Sequence, residues 1–281
     1  MTAELNQMMS ETKLLEVAVH AAGDAGKILR RLFGNPRLAI RKKNDYAGSL
    51  VTRADEESEK AILARIRRNK VACTVVSEEA GMVRLGSREV VWAVDPLDGT
   101  LNYVKRIPHF AVSIGILRER KTIAGVIYNP MLDEMFTAIR GHGAHLDGKR
   151  IRVSRAQHLR DSSLIFEWWV PEPSIPSPLQ FEERLCRFTR RIRSPGSVAL
   201  NLCSVAAGRF DGLVTVFRKA PVFETASGSL ITQEAGGIVT NSLGESWENF
   251  SRSLLAGGSV IHTRLLSLVA SARAKRKTQR N

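Results

Sequence analysis

Long hydrophobic runs are missing from this sequence. No apolar stretch approaches the roughly 20 residues that a membrane helix needs, so no spanning helix is expected. The opening residues MTAELNQMMSETK show no basic start leading into an apolar segment, so no secretory signal is expected. Cysteine is scarce. Cys73, Cys186 and Cys203 are scattered and odd in number, which fits reduced thiols in a cytoplasmic protein. No Cys/His cluster has zinc spacing. Aromatics are 6% of residues, and none interleaves with the basic clusters as in a base-stacking RNA motif. Acids are in deficit, with 28 Asp and Glu against 42 Lys and Arg.

What is there is enough for a large core. The chain has 281 residues, 43% hydrophobic, and is long enough for one big domain or two halves. The net charge of +14 is gathered in places: Arg37, Arg41, Lys42 and Lys43; Arg65, Arg67, Arg68 and Lys70; Arg187, Arg190, Arg191 and Arg193; and a tail from Arg273 to Arg280. Such a field attracts anionic substrates and nucleic acid alike. A solvated basic surface explains it equally well.

The chain is organised around Val90 to Gly115. Val90 to Val94 reads as a buried strand. Pro96 fixes φ and lacks a donor, so the regular strand is expected to stop at Asp95. Asp98 follows, then Gly99, which permits a backbone that a side chain would forbid. A short helix can start at Thr100. Strand, tight turn and helix start thus present two carboxylates beside free N–H groups. Mg²⁺ favours one or two carboxylates with phosphate oxygens, and a helix start favours an anion. An Asx turn with a helix cap would use the same residues.

Around that stretch the order is legible. Lys13 to Phe33 has helical apolar spacing, with the residues before about position 11 expected to be disordered. A basic loop or hairpin, Arg37 to Val51, leads to a capping box at Thr52 and Asp55 and a helix to about Asn69. Val71 to Val76 reads as a strand ending at Glu78 and Glu79, one loop before Asp95. Consecutive strands from Phe110 to Ile139 suggest an antiparallel meander. His109, His142 and His145 have no fitting ligand partners in sequence and read as structural. Then come a strand near Ser163 to Phe166, an irregular segment with Trp168, Trp169 and four prolines, and a helix from about Leu179 to Arg193. A turn at Ser194 to Ser197, a helix from Val198 to Ala207, and a strand from Phe210 to Phe217 follow. Two more strands and a helix from Ser259 lead to a basic tail, Arg273 to Asn281, expected to be flexible.

DPLDGT with Asn102 and Tyr103 resembles the D-P-[IL]-D-G-T-x-N-[FY] signature of the inositol monophosphatase family, which are Mg²⁺-dependent, lithium-sensitive phosphomonoesterases. Further stretches are similar to that family's: Ser49-Leu50-Val51-Thr52-Arg53-Ala54-Asp55, Ser77-Glu78-Glu79, Ser194-Pro195-Gly196-Ser197, and Val222 to Gly237 ending Glu234-Ala235-Gly236-Gly237. The resemblance implies a layered αβαβα sandwich. Its N-terminal α+β half would span 12–154, its C-terminal α/β half 155–270 and the basic tail 271–281, with the site between the halves. It implies two or three Mg²⁺ ions held by Glu78, Asp95, the Leu97 carbonyl, Asp98 and Glu224. Asp55 and Thr100 would activate a water, and Glu79 would orient water or a ligand. Gly99 and Thr100 N–H groups would hold phosphate, and Gly196, Ser197 and Val198 would touch substrate. Lys42 and Lys43 would border the site.

Departures from the family pattern bear on function. Ser49 replaces an Asp, Phe223 a Trp, and Glu224 the metal-binding Asp. Phe217 stands where inositol-specific members carry an acid that holds sugar hydroxyls, which a Phe cannot do. The implied reaction is hydrolysis of a small phosphomonoester, inositol 1-phosphate or a related sugar or polyol phosphate, by a homodimer. The alternative is a protein that binds RNA or the transcription machinery, with weak or residual phosphatase activity, as some bacterial members similar to this one do.

Overall fold

A computed structural model describes residues 2–35, 38–42, 50–86, 89–168, 178–189, 191–216, 222–247 and 253–278. Ser49, Lys43, Trp169, Arg190 and Phe217 lie outside the described residues, as do the prolines at 171, 173 and 176 and the last three residues.

The first element departs from expectation. Helix α1 runs from Thr2 to Leu32, so the backbone is helical through the stretch expected to be disordered. Val17, Ala18, Ala21, Ala25 and Leu29 are buried on its inner face, and Gly34 follows it with φ +75. Strands β1 (Ile40–Lys42) and β2 (Leu50–Thr52) pair antiparallel as the flanks of the expected hairpin. Helix α2 (Arg53–Arg68) starts on a true capping box at Thr52 and Asp55.

The first large sheet has eight strands. Its members are β3 (Thr74–Ser77), β4 (Gly81–Arg84), β5 (Val90–Asp98), β6 (Ala111–Arg118), β7 (Lys121–Asn129), β8 (Glu134–Ile139), β9 (Gly143–Leu146) and β10 (Lys149–Arg150). The meander β5 to β10 is antiparallel throughout. β3 lies beside β5 in parallel, and β4 folds back on the outer edge of β3. The segment between Glu78 and Asp95 is therefore more than the single loop expected. β5 also outlasts its proline. Its pairing with β6 slips between Asp95 and Asp98 and resumes at Asp98 opposite Ala111. The missing Pro96 donor falls inside this bulge, so the strand bends there instead of ending.

The second sheet has five strands, ordered β12-β11-β13-β15-β14. They are β11 (Ser163–Trp168), β12 (Arg191–Arg193), β13 (Gly212–Val216), β14 (Ile238–Thr240) and β15 (Ser253–Gly257). Helix α4 covers Pro178–Phe188 only. The reading of one helix to Arg193 fails because Arg191 to Arg193 pair in parallel with Ser163 to Ile165 on the sheet edge. β-Branched Thr189 stands between the two, its hydroxyl donating to Ser162 O at 2.7 Å. The last helix, α7 (Ser259–Thr278), continues past the expected end near Ala274 into the basic tail.

Helices and sheets alternate in layers. α1 and α2 cover one face of the eight-stranded sheet. Helices α5 (Val198–Ala206) and α6 (Val222–Glu234) fill the space against its other face. α5 also packs on the five-stranded sheet, whose far side is covered by α4 and α7. All three cysteines are free, and no described helix is long and apolar enough to cross a membrane.

Candidate active site

The bulge at Asp95 to Asp98 turns two acids inward. Gly99 follows in the left-handed region at φ +92, and a Cβ there would sit 3.1 Å from His109 O and 3.4 Å from Gly196 O. Helix α3 (Thr100–Val104) starts immediately after it. The turn after β12 meets the same place from the other sheet. Gly196, at φ +89, lies against Asn102, whose Nδ2 donates to both His109 O and Pro195 O at 2.8 Å.

Asp95 is fully buried, and its Oδ1 accepts the Leu97 N–H at 3.0 Å. Burial pushes its pKa well up, and the charges of Glu78, Asp98 and Glu224 push in the same direction. Four acids from β3's end, β5 and the first turn of α6 thus share one field. Asp98 is pushed up to about 7 by burial, against the Ser197 and Ala199 hydrogen bonds that favour its charged form. Among the described residues no three His, Cys, Asp or Glu side chains already form a metal cage. The donor set nevertheless fits a hard cation. It is all oxygen, it is largely buried, and the charges acting most on Asp95 are negative.

Asp55 caps α2 and also reaches Thr100. Its Oδ2 accepts Thr52 N–H at 2.8 Å and Thr52 O–H at 2.6 Å, which is the helix cap. Its Oδ1 faces Thr100, whose hydroxyl lies 3.3 Å away and 3.1 Å from Leu97 O. One carboxylate therefore anchors α2 and reaches the turn after β5. Glu78 and Glu79 sit in the half-buried turn after Ser77.

Ser197 and Val198 divide their roles. Ser197 Oγ donates to Asp98 Oδ2, and the Ala199 N–H reaches the same oxygen at 2.8 Å. The Val198 side chain is in the core with Ile165 and Leu202. The Glu234-Ala235-Gly236-Gly237 end of α6 lies away from this chemistry. Glu234 accepts Gly141 and Gly143 N–H groups at 2.8 Å, tying α6 to the meander. Lys42 has a described backbone only, in β1.

Two acids escaped the sequence reading. Glu59 is buried on α2, where it accepts the Ser77 hydroxyl and the Ala80 N–H, so it sets the Glu78 turn from beneath. Its signal was its spacing: 55, 59, 62 and 66 share one helical face. Glu167, on β11, accepts the Gly196 N–H. A lone acid after Leu164, Ile165 and Phe166 marked it.

The inositol monophosphatase family model matches residues 10–275. The chain belongs to the inositol monophosphatase family. A protein from Pasteurella multocida named Nus factor SuhB is 38% identical over 231 residues, covering 80% of this chain and 84% of that one. The Escherichia coli K12 protein of the same name is 35% identical over 245 residues, covering 87% and 91%. Among solved structures, the extragenic suppressor protein suhB of Bartonella henselae superposes with a TM-score of 0.85 at 34% identity, covering 92% of this chain and 98% of its own. An inositol monophosphatase from Thermotoga maritima gives 0.82 at 30%, covering 94% and 99%. The layered fold described above is the fold of this inositol monophosphatase family.

Proposed function

We propose that this inositol monophosphatase family member is a Mg²⁺-dependent phosphomonoesterase for a small sugar or polyol phosphate, with inositol 1-phosphate the first candidate. The observation that carries this is Asp95, buried and pressed by the charges of Glu78, Asp98 and Glu224. Buried like charges are relieved by taking up a proton or by a counter-ion, and a bound cation would serve as the second. Glu78, Asp95, the Leu97 carbonyl, Asp98 and Glu224 would hold two or three ions. When bound, Mg²⁺ supplies positive charge against the phosphate and acidifies water. The chain's own groups do the rest. Thr100, bridged to Asp55, holds a hydroxyl that would orient or help deprotonate a water, and half-buried Glu79 would orient that water or a metal ligand. The N–H groups of Gly99 and Thr100 face the phosphate, and the Gly196–Val198 backbone closes the substrate side.

Phosphate release from inositol 1-phosphate, fructose 1,6-bisphosphate, histidinol phosphate and adenosine 3′,5′-bisphosphate, with Mg²⁺ titrated into the tens of millimolar, tests this. Turnover of one of them supports the reading. A folded protein that releases phosphate from none refutes it.

A second reading is favoured by the relatives named Nus factor SuhB and by the +14 charge. In it the protein binds RNA or the transcription machinery, and phosphatase activity is residual. Arg160, Arg191 and Arg193 lie exposed near the edge strand of the second sheet. Salt-sensitive RNA binding, lost on deleting 273–281, would establish this role. Binding that ignores salt would dismiss it.

A further inference from the structure

Beside β11 and β13 lies a set of buried polar atoms that the catalytic reading does not use. Glu167 on β11 pairs in register with Thr215 on β13, so their side chains share a face. Asn201 of α5 lies close enough to influence both Glu167 and His109. Among the described residues, Glu167 Oε2, Thr215 Oγ1, both amide atoms of Asn201 and His109 Nε2 are buried without a well-formed hydrogen bond. Glu167 and Asn201 are 2% and 0% exposed.

A buried carboxyl is costly, and its neighbours Leu164, Ile165 and Phe166 show that an apolar residue suits this strand. Among the described residues, the Glu167 carboxylate accepts the Gly196 N–H at its Oε1. The next residue, Ser197, donates to Asp98, and the Ala199 N–H, two residues on, donates to the same Asp98 oxygen. Asn102 holds the turn from the opposite side at Pro195 O. Glu167 is therefore two links from Asp98, through the Gly196–Ser197 backbone.

We propose that Glu167 is a positioning residue for Asp98: it fixes the Gly196–Ser197 turn, so that Ser197 and Ala199 together hold one Asp98 oxygen and leave the other aimed at the metal position. This deepens the phosphomonoesterase reading and rests on it. Carboxylate ligands are oriented by their hydrogen-bond partners, and loss of such a partner costs about 10–100-fold in metal affinity.

The test is Mg²⁺ binding by titration calorimetry on the full chain, without substrate, with thermal melts run alongside. Glu167→Leu fills the space but gives Gly196 no acceptor, and weakens Mg²⁺ by about tenfold or more. Glu167→Gln keeps an acceptor oxygen and stays within about threefold of wild type, which a role through charge alone would not allow. Ser197→Ala removes the next link, and adding Glu167→Leu to it produces no further loss, because the two act in series. Should Glu167→Leu fail to fold, Glu167→Asp replaces it: the shorter acid loses Gly196 and weakens Mg²⁺, while Gln does not. Wild-type affinity in the folded Leu or Asp variant overturns the proposal and leaves the metal reading intact. A wild-type protein that binds no Mg²⁺ overturns both.

Discussion

Helix α6 carries Glu224 to the site, and two glycines decide how close it comes. Gly115 on β6 and Gly125 on β7 face each other in register. A Cβ on Gly125 would meet Ser227 Cα at 3.0 Å and Ser227 O at 3.2 Å, and one on Gly115 would meet Ala226 Cβ at 3.1 Å. The helix is also tied down here, since Ser113 Oγ donates to Phe223 O at 2.9 Å and shares a hydrogen bond with Ser227 Oγ. Gly125→Ala thus pushes on helix backbone, which cannot swing aside as a side chain can. Overpacking of this kind costs about 1–3 kcal/mol. The lost backbone freedom of the unfolded chain returns about 0.4–1 kcal/mol. At about 2–4 °C per kcal/mol, a net loss of about 2.5 kcal/mol would lower Tm by about 5–10 °C. Gly23→Ala is the control. Nothing lies within 4 Å of a Cβ there, inside α1, so the same exchange stabilises by about 0.5–1 kcal/mol through helix propensity. Calorimetric melts of the two variants should move in opposite directions. Because α6 also brings Glu224, Gly125→Ala should need more Mg²⁺ for half-maximal phosphate release. A Gly125→Ala protein that melts at or above wild type would refute the close-approach argument.

Asp95→Asn should cut phosphate release by about 10³ or more, the scale of losing a main electrostatic stabiliser, and near-normal turnover would remove Asp95 from the site. Glu224→Asp restores the shorter side chain common in the family and should lower the Mg²⁺ needed for half-maximal rate; a higher requirement would mean that the Glu reach is matched to this backbone. Tyr103→Phe deletes the hydroxyl that donates to Leu29 O at 2.7 Å, and should cost about 1 kcal/mol in denaturant unfolding. His262 is buried, shares a hydrogen bond with Thr240, and has its pKa pushed down by burial. The native state then takes up its proton less readily than the unfolded chain. Its contribution is present above the unfolded value of about 6.5 and fades as pH falls below it, by at most about 1.4 kcal/mol per pH unit. Wild type should therefore lose stability relative to His262→Gln between pH 7.5 and 5.5, and a constant difference would show that His262 does not titrate on unfolding.

Much of the first sheet could be read along the chain because its contacts are mostly between neighbours in sequence. From β6 to β8 the meander alternates strands with short turns, and period and turn residues suffice for that. β4 was missed because Gly81 to Arg84 is a short, largely exposed edge strand with little apolar pattern to see. β12 was missed because three residues, two of them exposed arginines, continue the helical pattern of α4 in sequence, whereas their partner is the distant Ser163 to Ile165. Pairing with a strand nearly thirty positions away is a tertiary fact that local propensity cannot hold.

The candidate site divides along the same line. Asp95, Asp98, Gly99 and Thr100 lie within six positions, and a bulge followed by a glycine is enough to turn them together. Glu59, Glu167 and Asn201 act across more than a dozen positions, and each looks locally like a stray polar residue in an apolar element. What distinguishes the two acids is burial combined with a bond to a turn that carries or contacts a candidate acid: Glu59 to the turn of Glu78, Glu167 to Gly196 beside the Ser197 that meets Asp98. Buried polar groups are costly enough that those retained are expected to hold something. Here Glu59, on α2, bonds the turn after β3, and Glu167, on β11, bonds the turn after β12. The turns beside the motif's carboxylates are thus bonded by carboxylates outside the motif, whose spacing follows from the three-dimensional layers and not from the chain.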